Sequence, residues 1–142
     1  MGITMNPLVL SGLIAKRMKD LILDEMIGKE LDHEVMFEED ECVELFKETM
    51  LILKFSDLSS LRCFSDDCCA NVRLAYAPNN NLGVVTDWNI EVEEQRDMEI
   101  FESTTTTVLT LKFEDQTINT YTFIGESNGY YDESVHFEWT NS

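Results

Sequence analysis

The sequence predicts an α+β domain, with N-terminal helices packed on a mostly antiparallel sheet of five or six strands. Two observations carry this expectation. Apolar residues recur at spacings of three and four before about residue 60, and at every second position after residue 70. The strand-like runs also follow the helix-like ones instead of alternating with them, which argues against a parallel sheet. At 142 residues the chain is expected to be one domain, 1–142, with a helical part at about 6–62 and the sheet at about 70–140.

The first element reads as a helix over 6–27. Asn6 suits the cap and Pro7 the first helical position. Leu10, Leu13, Ile14, Met18, Leu21 and Ile22 mark one buried face, and Gly28 a stop. A second helix is expected over 38–54, with EEDE in its first turn, where carboxylates complement the helix dipole. Cys42, Leu45, Phe46, Met50 and Leu53 form its stripe, and Ser56-Asp57 with the following SSL suggests a short helical turn. KELDHE at 29–34 reads as an acidic loop, and Cys63 to Cys69 as a polar one.

The period then shortens to two. NVRLAYA at 71–77 reads as a strand and PNNN at 78–81 as a turn. In 84–92, Val84, Thr86, Trp88, Ile90 and Val92 alternate with Val85, Asp87, Asn89 and Glu91, as in a half-buried strand with an acidic outer face. A short strand at 98–102 is expected next. The β-branched run 104–113 turns at Asp115-Gln116 into 117–124. Asn128-Gly129 is a strong hairpin signal, leading to a last strand with Val135, Phe137 and Trp139 on one face.

Charge narrows the function classes. There are 28 Asp and Glu against 10 Lys and Arg, a net charge of −18. Residues 85–142 hold 13 of those acids and only two of the bases, Arg96 and Lys112. Such a field disfavours direct contact with nucleic acid or anionic lipid, both of which reward basic groups. It attracts basic proteins and speeds their encounter with the chain. No apolar run approaches membrane-spanning length and no secretory signal is read, so a cytoplasmic protein with reduced thiols is expected.

No catalytic or cofactor motif stands out. There is no glycine-rich phosphate loop. DDCC at 66–69 lacks the ligand spacing of a zinc site, and the acid clusters lack a calcium-loop pattern, so neither metal nor cofactor is expected. Cys68 or Cys69 with His136 is the one nucleophile–base pairing to consider, and nothing in the sequence places them together. Asp87, Glu91 and Glu93 share one strand face, with neighbouring carboxylates of such a face about 6.5–7 Å apart, and are candidates for gripping a basic patch.

The stretch FIGESNGYYDESVHFEW offers a second group: Glu126, Tyr130, Tyr131, Asp132, Glu133 and Glu138. Tyrosines make low-entropy binding anchors, here with acids around them. Through Gly125, Ser127, Asn128, Gly129, Tyr130, Tyr131, Ser134, Val135 and Phe137 this stretch resembles the strand–SNGYY–strand ending of small bacterial immunity proteins, those of contact-dependent growth inhibition and related polymorphic toxin systems. The resemblance covers some fifteen residues. It implies a cytosolic, non-enzymatic protein that binds one cognate toxin domain, often a nuclease with a basic groove, and occludes it. The alternative is a phage or mobile-element inhibitor that mimics nucleic acid toward a host DNA-acting defence enzyme.

Overall fold

The computed structural model describes residues 17–37, 49–66, 70–77, 81–97 and 99–142. Eight strands run through them: β1 (Glu30–Met36), β2 (Thr49–Phe55), β3 (Ser60–Phe64), β4 (Asn71–Tyr76), β5 (Gly83–Asp97), β6 (Glu102–Phe113), β7 (Ile118–Ser127) and β8 (His136–Thr140). They form one antiparallel sheet in the order β4-β7-β6-β5-β1-β2-β3-β8. The sheet is nearly split at its middle, where β1 and β5 share only the pairs Glu30↔Val84 and Leu31↔Gly83. Its halves turn their apolar faces toward one core. Leu31, Leu51, Leu53, Phe55, Leu61 and Cys63 come from one half, and Val85, Leu109, Leu111, Phe113, Tyr121 and Phe123 from the other.

This corrects the expected α+β class: the described chain is a mainly antiparallel β structure with one short helix. That helix covers 17–24 and ends in a turn at 25–28, where Gly28 takes φ 84°. Leu23 and Met26 enter the core. The rest of the expected helix 6–27, and residues 38–48 of the second, lie outside the described residues. Residues 49–54 of that second helix are β2. The run Met50-Leu51-Ile52-Leu53 is apolar on both faces, and such a run fits a buried strand as readily as a helix. The short helical turn expected from Ser56-Asp57 and SSL is instead a hairpin turn, with Ser60 and Leu61 already in β3, and Cys63 of the expected polar loop is a fully buried strand residue. Burial pushes its thiol pKa up.

In KELDHE, residues 30–34 are likewise strand, interrupted by a bulge between Leu31 and His33. The bulge decides which side chains face inward. Leu31 pairs with Phe55, and beyond the extra residue Glu34 pairs with Leu53, so both point to the core side. A second bulge between Val85 and Asp87 turns Val85, not Val84, into the core. The strand expected at 98–102 is absent as such: 99–101 is a turn and β6 begins at Glu102.

Two four-residue connections are built alike. In FSDLS, the Phe55 amide donates to the Ser59 carbonyl, and the Ser59 amide and hydroxyl donate to the Asp57 carboxylate. In FEDQT, Phe113, Thr117 and Asp115 repeat those bonds. Leu58 and Gln116 occupy the same left-handed position, φ 73° and 74°.

The last strand is placed differently from the expected hairpin. Residues 128–135 cross from β7 to the other half of the sheet, and β8 pairs with β3. The crossing packs against Gly125, where a Cβ would lie 2.5 Å from the Glu133 carbonyl oxygen and 2.9 Å from its Cβ. Gly125→Ala must displace backbone. Overpacking of this kind costs about 1–3 kcal/mol, so thermal denaturation should show Tm lowered by about 3–12 °C.

The turn at Asp57 gives a pH signature. The Lys29 ammonium, and then Ser59, hold its carboxyl far below the usual carboxylate range. A depressed folded pKa contributes stability above the unfolded value, about 3.9, and loses it as pH falls through the folded one. Asp57→Asn should therefore be less stable than the wild type at pH 7, with the gap closing as pH drops below about 4 in parallel denaturation series.

Candidate acidic binding face

β5 is the longest strand, and register fixes its two faces. Trp88, Ile90 and Val92 pair with Leu111, Leu109 and Thr107 on the core side. Asp87, Asn89, Glu91, Glu93, Gln95 and Asp97 therefore share the outer side, all of them exposed. Across from them on β6 stand Lys112, Thr110, Val108, Thr106, Thr104 and Glu102. Lys112 is the one cation on this two-strand face, opposite Asp87. Among the described residues no ion pair involves Asp87, Glu91 or Glu93. The expected grouping of these three on one face is what the register produces.

The second candidate group is dispersed by the C-terminal crossing. Tyr130 and Tyr131 lie in the loop, 78% and 42% exposed, so neither packs inward as an alternating strand would require. Glu126 is paired with Arg73 at 3.4 Å and Glu138 with Arg62 at 3.4 Å. Such exposed pairs contribute little, about 0–1 kcal/mol. Arg62 also stacks over Phe64, 4.0 Å from its centroid.

Glu133 has another task. It is buried, and its carboxylate accepts hydrogen bonds from Ser103 (3.1 Å), Thr105 (2.9 Å) and Ser127. It pins the crossing loop to β6 and β7 and is withdrawn from any partner-facing surface.

Asp132 stands beside His136 and Asp66. Its Oδ2 lies 2.7 Å from His136 Nε2, and its Oδ1 accepts from the Ser134 amide and hydroxyl. The Ser134 and His136 bonds lower its pKa against the opposing effect of desolvation, which is the largest single influence. One oxygen from each aspartate and one imidazole nitrogen fall within 4.8 Å of each other. They are ligand types a divalent cation accepts. Both aspartates are exposed, and the imidazole already has Asp132 as its partner. His136 also stacks on Phe64, with ring centroids 5.6 Å apart. Cys68 and Cys69, weighed as nucleophiles with His136, lie outside the described residues.

A polar bridge through the core escaped the sequence reading. Tyr121, fully buried on β7, donates to Glu34 Oε1 on β1 at 2.5 Å, and Asn119 Nδ2 donates to the same oxygen at 3.2 Å. Burial, then the Glu34 hydrogen bond and charge, push the Tyr121 phenol well above its ordinary range. The bridge joins residues far apart in sequence, and the bulge that turns Glu34 inward is a property of the strand register.

Compared with protein-family models, curated proteins and solved structures, the chain matches none. No helix among the described residues is long and apolar enough to cross a membrane.

The split between acids that hold the fold and acids that face solvent is measurable. Glu133→Ala strands its hydroxyl donors and should cost about 1–3 kcal/mol in urea denaturation. Glu91→Ala, on the open face, should stay within about 0.5 kcal/mol of wild type.

Proposed function

We propose that the chain is an immunity-type protein that binds and neutralises a cognate toxin domain, a nuclease, by covering its basic active-site surface. The observation that carries this reading is the outer face of β5. Asp87, Glu91 and Glu93 project to one side of a rigid strand pair, exposed and without an ion-pair partner among the described residues. A partner with a basic groove gains twice from such a row. Long-range attraction raises the encounter rate, and close charge pairs in comparable complexes couple by about 1.5–7 kcal/mol. Tyr130 and Tyr131, exposed in the C-terminal loop, supply apolar area for the same or an adjoining contact. The resemblance of the stretch at residues 123–139 to immunity-protein endings supports the reading. Part of it rests on residues with evident structural work: Gly125 makes room for the crossing, and Ser127 and Asn128 tie its backbone.

Nucleic-acid mimicry toward a DNA-acting enzyme uses the same face, because carboxylates two residues apart are spaced like successive phosphates. The two readings separate by target and not by surface.

The test is protection. A toxin domain encoded directly beside this chain should arrest growth when expressed alone and be silenced by co-expression of the chain. Asp87→Asn/Glu91→Gln/Glu93→Gln together should abolish protection while leaving Tm nearly unchanged. Full protection by the triple variant overturns the assignment of the face. Failure of the wild type to protect, with DNA competing for its target instead, replaces the immunity reading by mimicry.

A further inference from the structure

We infer that the cavity beside Glu34 is a binding site for an alkylammonium or alkylguanidinium group, with the Glu34 carboxylate as the counter-charge and Met36 and Leu82 as walls for the aliphatic stem. The cavity is open, about 390 Å³, and lined among the described residues by Asp32, His33, Glu34, Met36 and Leu82. It lies apart from the outer face of β5 and is independent of the role proposed for that face.

The carboxylate is held for the purpose by atoms behind the lining. The β1 bulge turns Glu34 toward the core side, and Tyr121 and Asn119 both donate to its Oε1. Oε2 has no bonded partner among the described residues and is left to accept from a ligand. Two donors fixed in a packed core leave the carboxylate little freedom, so a cation meets a pre-oriented acceptor and little entropy is lost. Charge-assisted bonds of this type are the strong ones.

The segment that carries Leu82 is held by the same network. Asn119 Oδ1 accepts from the Asn81 amide at 3.2 Å, its Nδ2 donates to the Asn81 carbonyl at 2.8 Å, and Asn81 Nδ2 donates to the Ile118 carbonyl at 3.0 Å. Next to Asn81, Leu82, 53% exposed, lines the same cavity as Met36, 43% exposed. Two apolar side chains left open beside a fixed carboxylate match a ligand with a methylene stem and a cationic head, the form in which lysine and arginine cover apolar surface. Asp32 at the rim adds negative charge, with His33 Nδ1 at 2.8 Å from it. An anion or a neutral apolar ligand would leave the Glu34 charge uncompensated.

Butylguanidinium titrated into methyl-labelled full-length protein is the direct probe, with neutral butylurea as its isostere. Butylguanidinium should shift the Met36 and Leu82 methyl resonances saturably, and butylurea should bind at least about tenfold more weakly. Glu34→Gln keeps an oxygen acceptor for Tyr121 and Asn119 and should weaken butylguanidinium by about tenfold or more. Leu82→Lys, at an exposed position, places a competing cation in the wall and should remove binding without touching the core network. Equal binding of butylurea, unchanged affinity in both variants, or shifts spread over the acidic surface without saturation at Met36 and Leu82 would overturn the site. A capped Gly-Arg-Gly peptide separates two sources of the group. Binding of the peptide as tight as butylguanidinium assigns a side chain of a protein partner, and exclusion of the peptide assigns a free small cation. Loss of butylguanidinium binding in Glu34→Gln with growth protection intact, or the reverse, distinguishes this site from the β5 face.

Discussion

The crossing from β7 to β8 is the constraint on which the rest of the molecule depends. It carries the chain from one half of the sheet to the other, so that β8 closes against β3 and the apolar faces are held together. Two features make it possible. Gly125 leaves space where any Cβ would strike the Glu133 backbone, and the Glu133 carboxylate gathers the hydroxyls of Ser103, Thr105 and Ser127. Those hydroxyls stand on the core-facing side of β6 and β7, where the apolar ladder of Leu109, Leu111 and Phe113 gives way to threonine and serine. An acid there satisfies donors that an apolar loop would leave unpaired.

Once that crossing is in place, the surplus of acid falls into distinct roles. Glu133 and Asp57 tie loops. Glu34 bridges the two halves through Tyr121. Glu126 and Glu138 meet arginines on neighbouring strands. Asp87, Glu91 and Glu93 remain on the outside of β5, with threonine and valine beside them and a lysine only at one end. Net charge is a property of the whole chain, and the outer face of β5 gathers Asp87, Glu91, Glu93 and Asp97 on one side of one strand.

The strands after residue 70 were legible because side-chain character alternates between their two faces, most clearly along β6 and β7, where nearly every second residue is buried. Asp87, Glu91 and Glu93 were correctly grouped for that reason. The N-terminal half misled through β2, where Met50 to Leu53 offers no alternation, and through β1, where the bulge at Leu31/His33 breaks the period that a reader would count. Asn128-Gly129 pointed to a two-residue hairpin. Gly129 does take a positive φ, 95°, but in a crossing loop, because local turn chemistry does not specify which strand the chain meets next. FSDLS and FEDQT carried a usable signal that was not used. The same Phe-x-Asp-x-Ser/Thr frame makes both connections, and recognising it would have marked β2–β3 as a hairpin as plainly as β6–β7. The Glu34–Tyr121 bridge joins residues 87 apart in sequence, and no local pattern announces it.

The central claim is that carboxylates of the β5 outer face, and not those that hold the fold, meet the partner. Carbodiimide-driven amine labelling, read residue by residue by mass spectrometry with and without the bound toxin domain, tests it most directly. The account predicts that Asp87, Glu91 and Glu93 label readily in the free chain and are shielded in the complex, while Glu133 resists labelling in both. Undiminished labelling of the β5 acids in a complex that has demonstrably formed would contradict it.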